Sequence, residues 1–198
     1  MTRVVSGFIV RVRSIAERCA WADFFPVAQL VEVELGSGDG SFLVEWARRH
    51  PDRNFLGIER LLGRLRKLDR KGRRAGLRNL RGLRLEAGYC LEYILPLGGI
   101  AALHVYFPDP WPKRKHWRRR LVNDRFPGLA ARVLAPGGTV YLRTDHEGYA
   151  EEMRRVFGGS AMFEAVPTPP DLAGVVTDFE RGFAARGIGA HRLAYRLR

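Results

Sequence analysis

The sequence predicts a doubly wound α/β fold, a mostly parallel sheet with helices on both faces. Three observations predict it. From residue 30 onward, short apolar runs alternate with helix-periodic stretches, the pattern of parallel strands joined by crossovers. The first run leads into Gly36-Ser37-Gly38-Asp39-Gly40 and then a helix pattern, as at the ligand-binding end of such sheets. No repeat, low-complexity tract or linker divides the 198 residues, a length sufficient for one domain with its own core.

The elements follow in order. Residues 1–29 read as an N-terminal arm of the same domain. Residues 7–13 alternate apolar and basic side chains, so a short strand and an irregular arm both fit. Arg3, Arg11, Arg13 and Arg18 are candidate RNA contacts there. Residues 30–198 form the main body. Strands are expected at 30–35, 54–58, 83–87, 100–107 and 139–143, with two more at 162–166 and 191–197. Helices are expected at 41–50, around Leu61, Leu65 and Leu68, at 89–95, 121–134 and 147–157. The Pro136-Gly137-Gly138 stretch stops the 121–134 helix.

Composition narrows the partners. Against 21 acidic residues stand 34 Lys and Arg, a formal charge of +13, which favours a polyanion such as nucleic acid or an acidic membrane surface. Arg predominates over Lys, which suits bidentate phosphate recognition. Cys19 and Cys90 are far apart in sequence, the histidines lack metal-ligand spacing, and no apolar run approaches a membrane span. Neither a disulfide scaffold nor a metal site is expected, and the N-terminus does not resemble a secretory signal. A soluble cytoplasmic protein is the expectation.

The glycine loop reads Glu34-x-Gly36-x-Gly38-x-Gly40. A dinucleotide fingerprint would place its third glycine where Ser41 stands, and no Gly-Lys-Ser/Thr follows, so a nicotinamide enzyme and a nucleoside-triphosphate loop are both disfavoured. A carboxylate just before the loop suits a cationic ligand better than a pyrophosphate. Glu59, at the end of the second expected strand, is placed to accept hydrogen bonds from ribose hydroxyls. Together they favour S-adenosylmethionine, which carries a ribose, an amino group and a sulfonium.

After the apolar run 100–106 comes Phe107-Pro108-Asp109-Pro110-Trp111-Pro112-Lys113-Arg114-Lys115-His116. Three prolines fix alternate backbone torsions and hold Asp109 in a stiff loop. Trp111 follows, either as a stacking surface or as a support for the loop. Residues 60–84 hold eleven Lys or Arg and 113–125 hold seven, which concentrates the positive charge beside this loop. Phosphate contacts position a nucleic acid, while stacking and base-edge bonds select within single-stranded RNA. Trp111 and Trp117 are candidates for such stacking.

These blocks resemble the tRNA (guanine-N7-)-methyltransferases, a branch of the class I S-adenosylmethionine-dependent methyltransferases with a Rossmann-like fold. The matching residues are Glu34-Leu35-Gly36-Ser37-Gly38, Gly57-Ile58-Glu59, the Phe107–Lys113 block with Arg118–Leu121, Thr144-Asp145, and Thr177-Asp178-Phe179-Glu180-Arg181. The resemblance implies a seven-stranded sheet whose last strand is antiparallel. It implies methyl transfer from S-adenosylmethionine to N7 of a guanosine in the tRNA variable loop, without a metal, leaving S-adenosylhomocysteine. It assigns Glu34, Gly36, Gly38, Gly40, Glu59, Glu86 and Asp109 to the donor site, and Asp109 to catalysis. Lys113, Asp145, Thr177, Asp178, Phe179 and Glu180 then face tRNA, in a monomer or homodimer. Position 86 departs from the family's usual Asp or Asn by one methylene. A methyltransferase of another RNA or of DNA and a non-catalytic RNA-binding protein are the competing readings.

Overall fold

The computed structural model describes residues 3–198; the side chains of residues 3–6, Asp178 and Ala184, and with them the Arg3 and Asp178 contacts expected above, lie outside that description. In chain order the elements are β1 (Arg3–Ser6), β2 (Ile9–Arg11), β3 (Leu30–Leu35), α1 (Ser41–Arg49), β4 (Arg53–Ile58), α2 (Leu62–Arg74) and β5 (Leu80–Leu83). There follow α3 (Ala87–Tyr89), running on as a wider turn through Cys90–Ile94, then β6 (Ile100–Tyr106), α4 (Phe126–Val133) and β7 (Leu134–Thr144). The chain ends with α5 (Glu147–Gly158), β8 (Phe163–Ala165), α6 (Pro170–Ala173), α7 (Asp178–Ala184) and β9 (His191–Leu197).

The described residues build one nine-stranded sheet in the order β1-β2-β5-β4-β3-β6-β7-β9-β8. Strands β3 to β7 run parallel, and β9 is antiparallel to both of its neighbours. The expected seven strands are β3 to β9. The count of seven is corrected to nine because the arm is not irregular: β1 and β2 pair as a hairpin, and β2 adds to β5 in parallel. The arm is pinned where the Phe8 amide donates to the Asp69 carboxylate of α2 at 2.7 Å.

Strand order reverses on either side of β3, so its carboxyl end is the crevice where ligands bind in open α/β sheets. Alternation along β3 assigns its side chains to two layers. Val31, Val33 and Leu35 join the larger core with Leu103 and Val105. Glu32 and Glu34 point to the other layer, where Phe42, Trp46, Phe55 and Tyr106 pack.

Three boundaries differ from expectation. The third parallel strand is Leu80–Leu83, not 83–87, because its register with β4 pairs Phe55 with Leu80 and Ile58 with Leu83. Residues 121–125 precede α4 as a turn held by Asn123, whose side chain donates to the Arg120 carbonyl and accepts from the Arg125 amide. Strand β7 starts before the Pro-Gly-Gly stretch, which is absorbed as an irregularity opposite Ile100–Ala102. Among the described residues no helix is long and apolar enough to cross a membrane.

Candidate active site

Two adjoining cavities open at the carboxyl ends of β3, β4 and β6. The first, about 300 Å³, is lined by Glu34, the glycine loop, Phe42, Thr177 and Phe179. The second, about 360 Å³, is lined by Glu59, Arg64, Glu86, Asp109, Trp111 and Arg119 among others. Gly36, Arg64, Tyr106 and Phe107 border both, so the cavities meet at the tip of β6.

The glycine loop folds as the residue type requires. Gly36, Gly38 and Gly40 have φ of 81°, 55° and 78°, which L side chains adopt only at a cost. Gly40 is doubly constrained, since a Cβ there would sit 2.7 Å from Leu68 of α2. At Gly38 the demand is for reach: its amide donates to Glu59 Oε2 at 3.0 Å. Glu59 also accepts from the Leu61 amide at 2.7 Å. It therefore ties the loop to the start of α2 while each carboxylate oxygen keeps the capacity to accept a second bond. Asp39 is held by the loop's own surroundings, pairing with Lys71 Nζ at 2.6 Å and accepting from the Ser41 hydroxyl at 2.8 Å. Burial alone would raise its pKa, but these partners bring it down to about 2.

Glu34 is the unusual group. It is 4% exposed, and its Oε2 is buried without a hydrogen-bond partner. Burial, opposed by nearby Arg143 and reinforced by Asp39 and Glu59, pushes its pKa up to about 8. An unsatisfied buried acceptor lining a cavity calls for a donor from outside the chain. A ligand ammonium meets that demand, which is the test S-adenosylmethionine passes here.

Asp109 is exposed on the wall of the second cavity. The residues flanking its loop, Phe107 and Trp111, have φ of 51° and 43°. Left-handed backbone at non-glycine residues costs about 1–3 kcal/mol each and collects at functional sites. The prolines alone thus do not explain the loop's shape. The Trp111 ring carries the Arg119 guanidinium 5.1 Å from its centre.

Glu86 lines the same cavity but caps α3, accepting from the Gly88 and Tyr89 amides at 2.9 and 2.6 Å. Lys113 is exposed at the start of the basic turn Arg114–Arg119, and Asp145 is half-buried just past β7; neither lines the two cavities. Thr177 and Glu180 form a capping box at the start of α7. Glu180 is 5% exposed and bonded to Arg143 at 2.8 Å and Arg192 at 2.7 Å. Its carboxylate is turned into the protein, and the T-x-x-E pattern that accompanies it is a cap signature readable in sequence. Phe179 is 51% exposed, with its ring 6.1 Å from that of Phe107.

Sequence reasoning missed the support beneath the site. Arg143 is 1% exposed, donates to the Val175 and Leu172 carbonyls and to Glu180, and lies 4.2 Å from the centre of the Tyr106 ring. It joins the 172–180 segment to the cavity floor. The one available signal was an arginine inside an otherwise apolar strand. Tyr106 is fixed from behind: its hydroxyl is 2.8 Å from His104 Nδ1, and His104 Nε2 is 2.8 Å from Glu32. Among the described residues no cluster of three metal-binding side chains occurs.

A sheet of this order, with a glycine loop after its first central strand and an acid ending the next, forms a nucleoside-type crevice. Solved structures agree on the fold. A 16S rRNA methyltransferase, KamB, superposes with a TM-score of 0.67 at 22% identity, covering 100% of this chain and 99% of the other. A 30S ribosomal A1408 methyltransferase from an uncultured bacterium gives 0.61 at 19% identity, with complete coverage of both. The family model described as "Putative methyltransferase" matches residues 28–193. A tRNA (guanine-N(7)-)-methyltransferase of Syntrophotalea carbinolica is 32% identical over 99% of this chain and 86% of its own length. Its counterpart in Halorhodospira halophila is 37% identical over 84% and 74%, and that of Leifsonia xyli 39% over 83% and 74%. The chain belongs to the tRNA (guanine-N(7)-)-methyltransferase family.

Proposed function

We propose that this protein methylates N7 of a guanosine in the tRNA variable loop, using S-adenosylmethionine. The observation that carries the reading is the adjacency of two different carboxylates: buried Glu34, with one oxygen unpartnered, in one cavity and exposed Asp109, on a strained loop, in the next. Glu34 holds the donor's ammonium and Glu59 its ribose, while Gly36 and Gly38 let it approach the backbone. Where their missing Cβ atoms would project there is open space within 4 Å. When bound, the donor supplies an electrophilic methyl group.

The chain's own task is mostly alignment, because guanine N7 is already a free lone pair at neutral pH and needs no base. Asp109 accepts hydrogen bonds from the guanine N1–H and amino group. This orients the ring and stabilises the positive charge that develops on it. Arg119 and Lys113 supply phosphate contacts, and exposed Phe179 offers a face to the base. Thr177 and Glu180 act through position, by fixing α7. Asp145 and Asp178 remain tRNA-side candidates. Glu86 serves the adenine end with its N-capped turn. In this reading residues 1–29 belong to the same catalytic domain, whose sheet their described strands extend.

Incubation with labelled donor and unmodified tRNA, followed by nucleoside analysis, should yield 7-methylguanosine; any other methylated nucleoside overturns the reading. Asp109→Asn should lower kcat by about a hundredfold or more. Its tRNA affinity should stay within about threefold of the parent, since the phosphate contacts remain. Equal losses in both would remove Asp109 from catalysis.

A further inference from the structure

We propose that Arg120 is a positioning residue that clamps the Asp109 loop and makes no contact with RNA. What Asp109 does rests on the methyl-transfer reading; what Arg120 does rests on its geometry. Arg120 sits in the densest basic stretch of the chain, yet it is 3% exposed where Arg118 and Arg119 are open to solvent. Its Nε donates to the Pro110 carbonyl at 2.7 Å. Its guanidinium lies 4.6 Å from the ring centres of both Trp117 and Tyr149. Tyr149 is itself fixed, buried in α5 with its hydroxyl accepting from the Val122 amide at 3.0 Å. Its Nη1 is buried without a partner, but Arg120 borders neither cavity, so the guanidinium is packed beneath the loop and not presented to a phosphate.

The bonded carbonyl is well chosen. The peptide joining Pro110 to Trp111 carries the carbonyl that Arg120 grips and the amide that enters Trp111's left-handed backbone. A charge-assisted bond there fixes the orientation of that peptide. Asp109 is the residue immediately before Pro110, so the direction of its carboxylate inherits this restraint. Two adjacent arginines thus divide the labour. Arg119 lies over the Trp111 ring on the cavity side, and Arg120 holds the backbone from beneath.

Arg120→Lys tests the clamp, since it keeps the charge but loses the planar fork and its stacking. Turnover should fall by about tenfold or more, as expected for a displaced reacting group. Donor affinity, tRNA affinity and salt dependence should be unchanged. Trypsin should cut within 113–119 faster, a readout independent of catalysis. In an Asp109→Asn background Arg120→Lys should cost less than about twofold, because the two changes remove one effect. Weaker tRNA binding with a flatter salt dependence would make Arg120 an RNA contact and overturn the proposal, as would additive losses or an unchanged trypsin rate. Should Arg120→Lys not fold, Trp117→Leu at the exposed side of the clamp should reproduce the kinetic and proteolytic pattern more weakly; no change in either sinks the idea. A parent protein inactive on tRNA would refute the substrate reading, while the trypsin rates would still decide the clamp.

Discussion

Two glutamates stand two residues apart on β3, point into the same layer and are both nearly excluded from solvent, yet their chemistry is opposite. Glu32 accepts from Trp46 Nε1 at 2.8 Å and Arg53 at 2.7 Å and meets His104 at 2.8 Å. Burial pushes its pKa up, but His104, Arg53 and Trp46 outweigh that and hold it at about 2. Glu34 has an oxygen with no partner and a pKa pushed up to about 8. The protein completes the environment of the first carboxylate and leaves an oxygen of the second without a partner. Burial by itself therefore does not set the state of either acid; the partners each carboxylate finds inside the protein do.

The largest effect should come from breaking the complete site. Glu32→Gln leaves Arg53 and His104 without their anion, and removing one member of a buried charged network costs about 3–5 kcal/mol. Denaturant unfolding should report that loss, with donor affinity in the remaining folded protein nearly unchanged. Glu34→Gln should do the reverse. Stability at neutral pH should change by less than about 1 kcal/mol, since no internal partner is lost. Donor affinity should fall roughly 30- to 100-fold, the cost of leaving a buried ammonium unpaired. If both variants lose stability and donor binding alike, the distinction between the two glutamates is wrong.

Legibility in the sequence followed the same division. That Glu34, Glu59 and Asp109 line the crevice was legible from local features: a glycine loop, a strand end and a proline-framed turn. That β3 to β7 run parallel was readable from the alternation of strand and helix patterns. What escaped depends on partners distant in the chain. Glu32 draws its meaning from His104, 72 residues on. Arg143 and Glu180 gain their meaning from each other across 37 residues. In the arm, alternation fitted a short strand and an irregular segment alike, and what decides for the strand is again distant: β2 pairs with β5, whose Arg81 guanidinium rests against Phe8 and Phe25. Glu86 was read as a ligand contact from its family position, whereas its bonds to Gly88 and Tyr89 make it first a cap.

The pH dependence is the effect most specific to Glu34. Its folded-state pKa lies above the ordinary carboxylate value, so folding favours the protonated form. That contribution is fully present below about pH 4.5 and is lost as pH rises through about 8. Glu32 has the opposite sign, its contribution being present above about 4.5 and lost as pH falls towards 2. A cationic ligand pairs with ionised Glu34, so binding must expel its proton. Donor affinity should rise with pH between about 6 and 8, by up to about tenfold per unit, and flatten where the donor's own amino group begins to deprotonate. Calorimetry in buffers of different ionisation enthalpy should register close to one proton released near pH 6.5, and none in Glu34→Gln. Proton release that survives the substitution would place the titrating group elsewhere, and Glu34 would then lose its claim to the donor's ammonium.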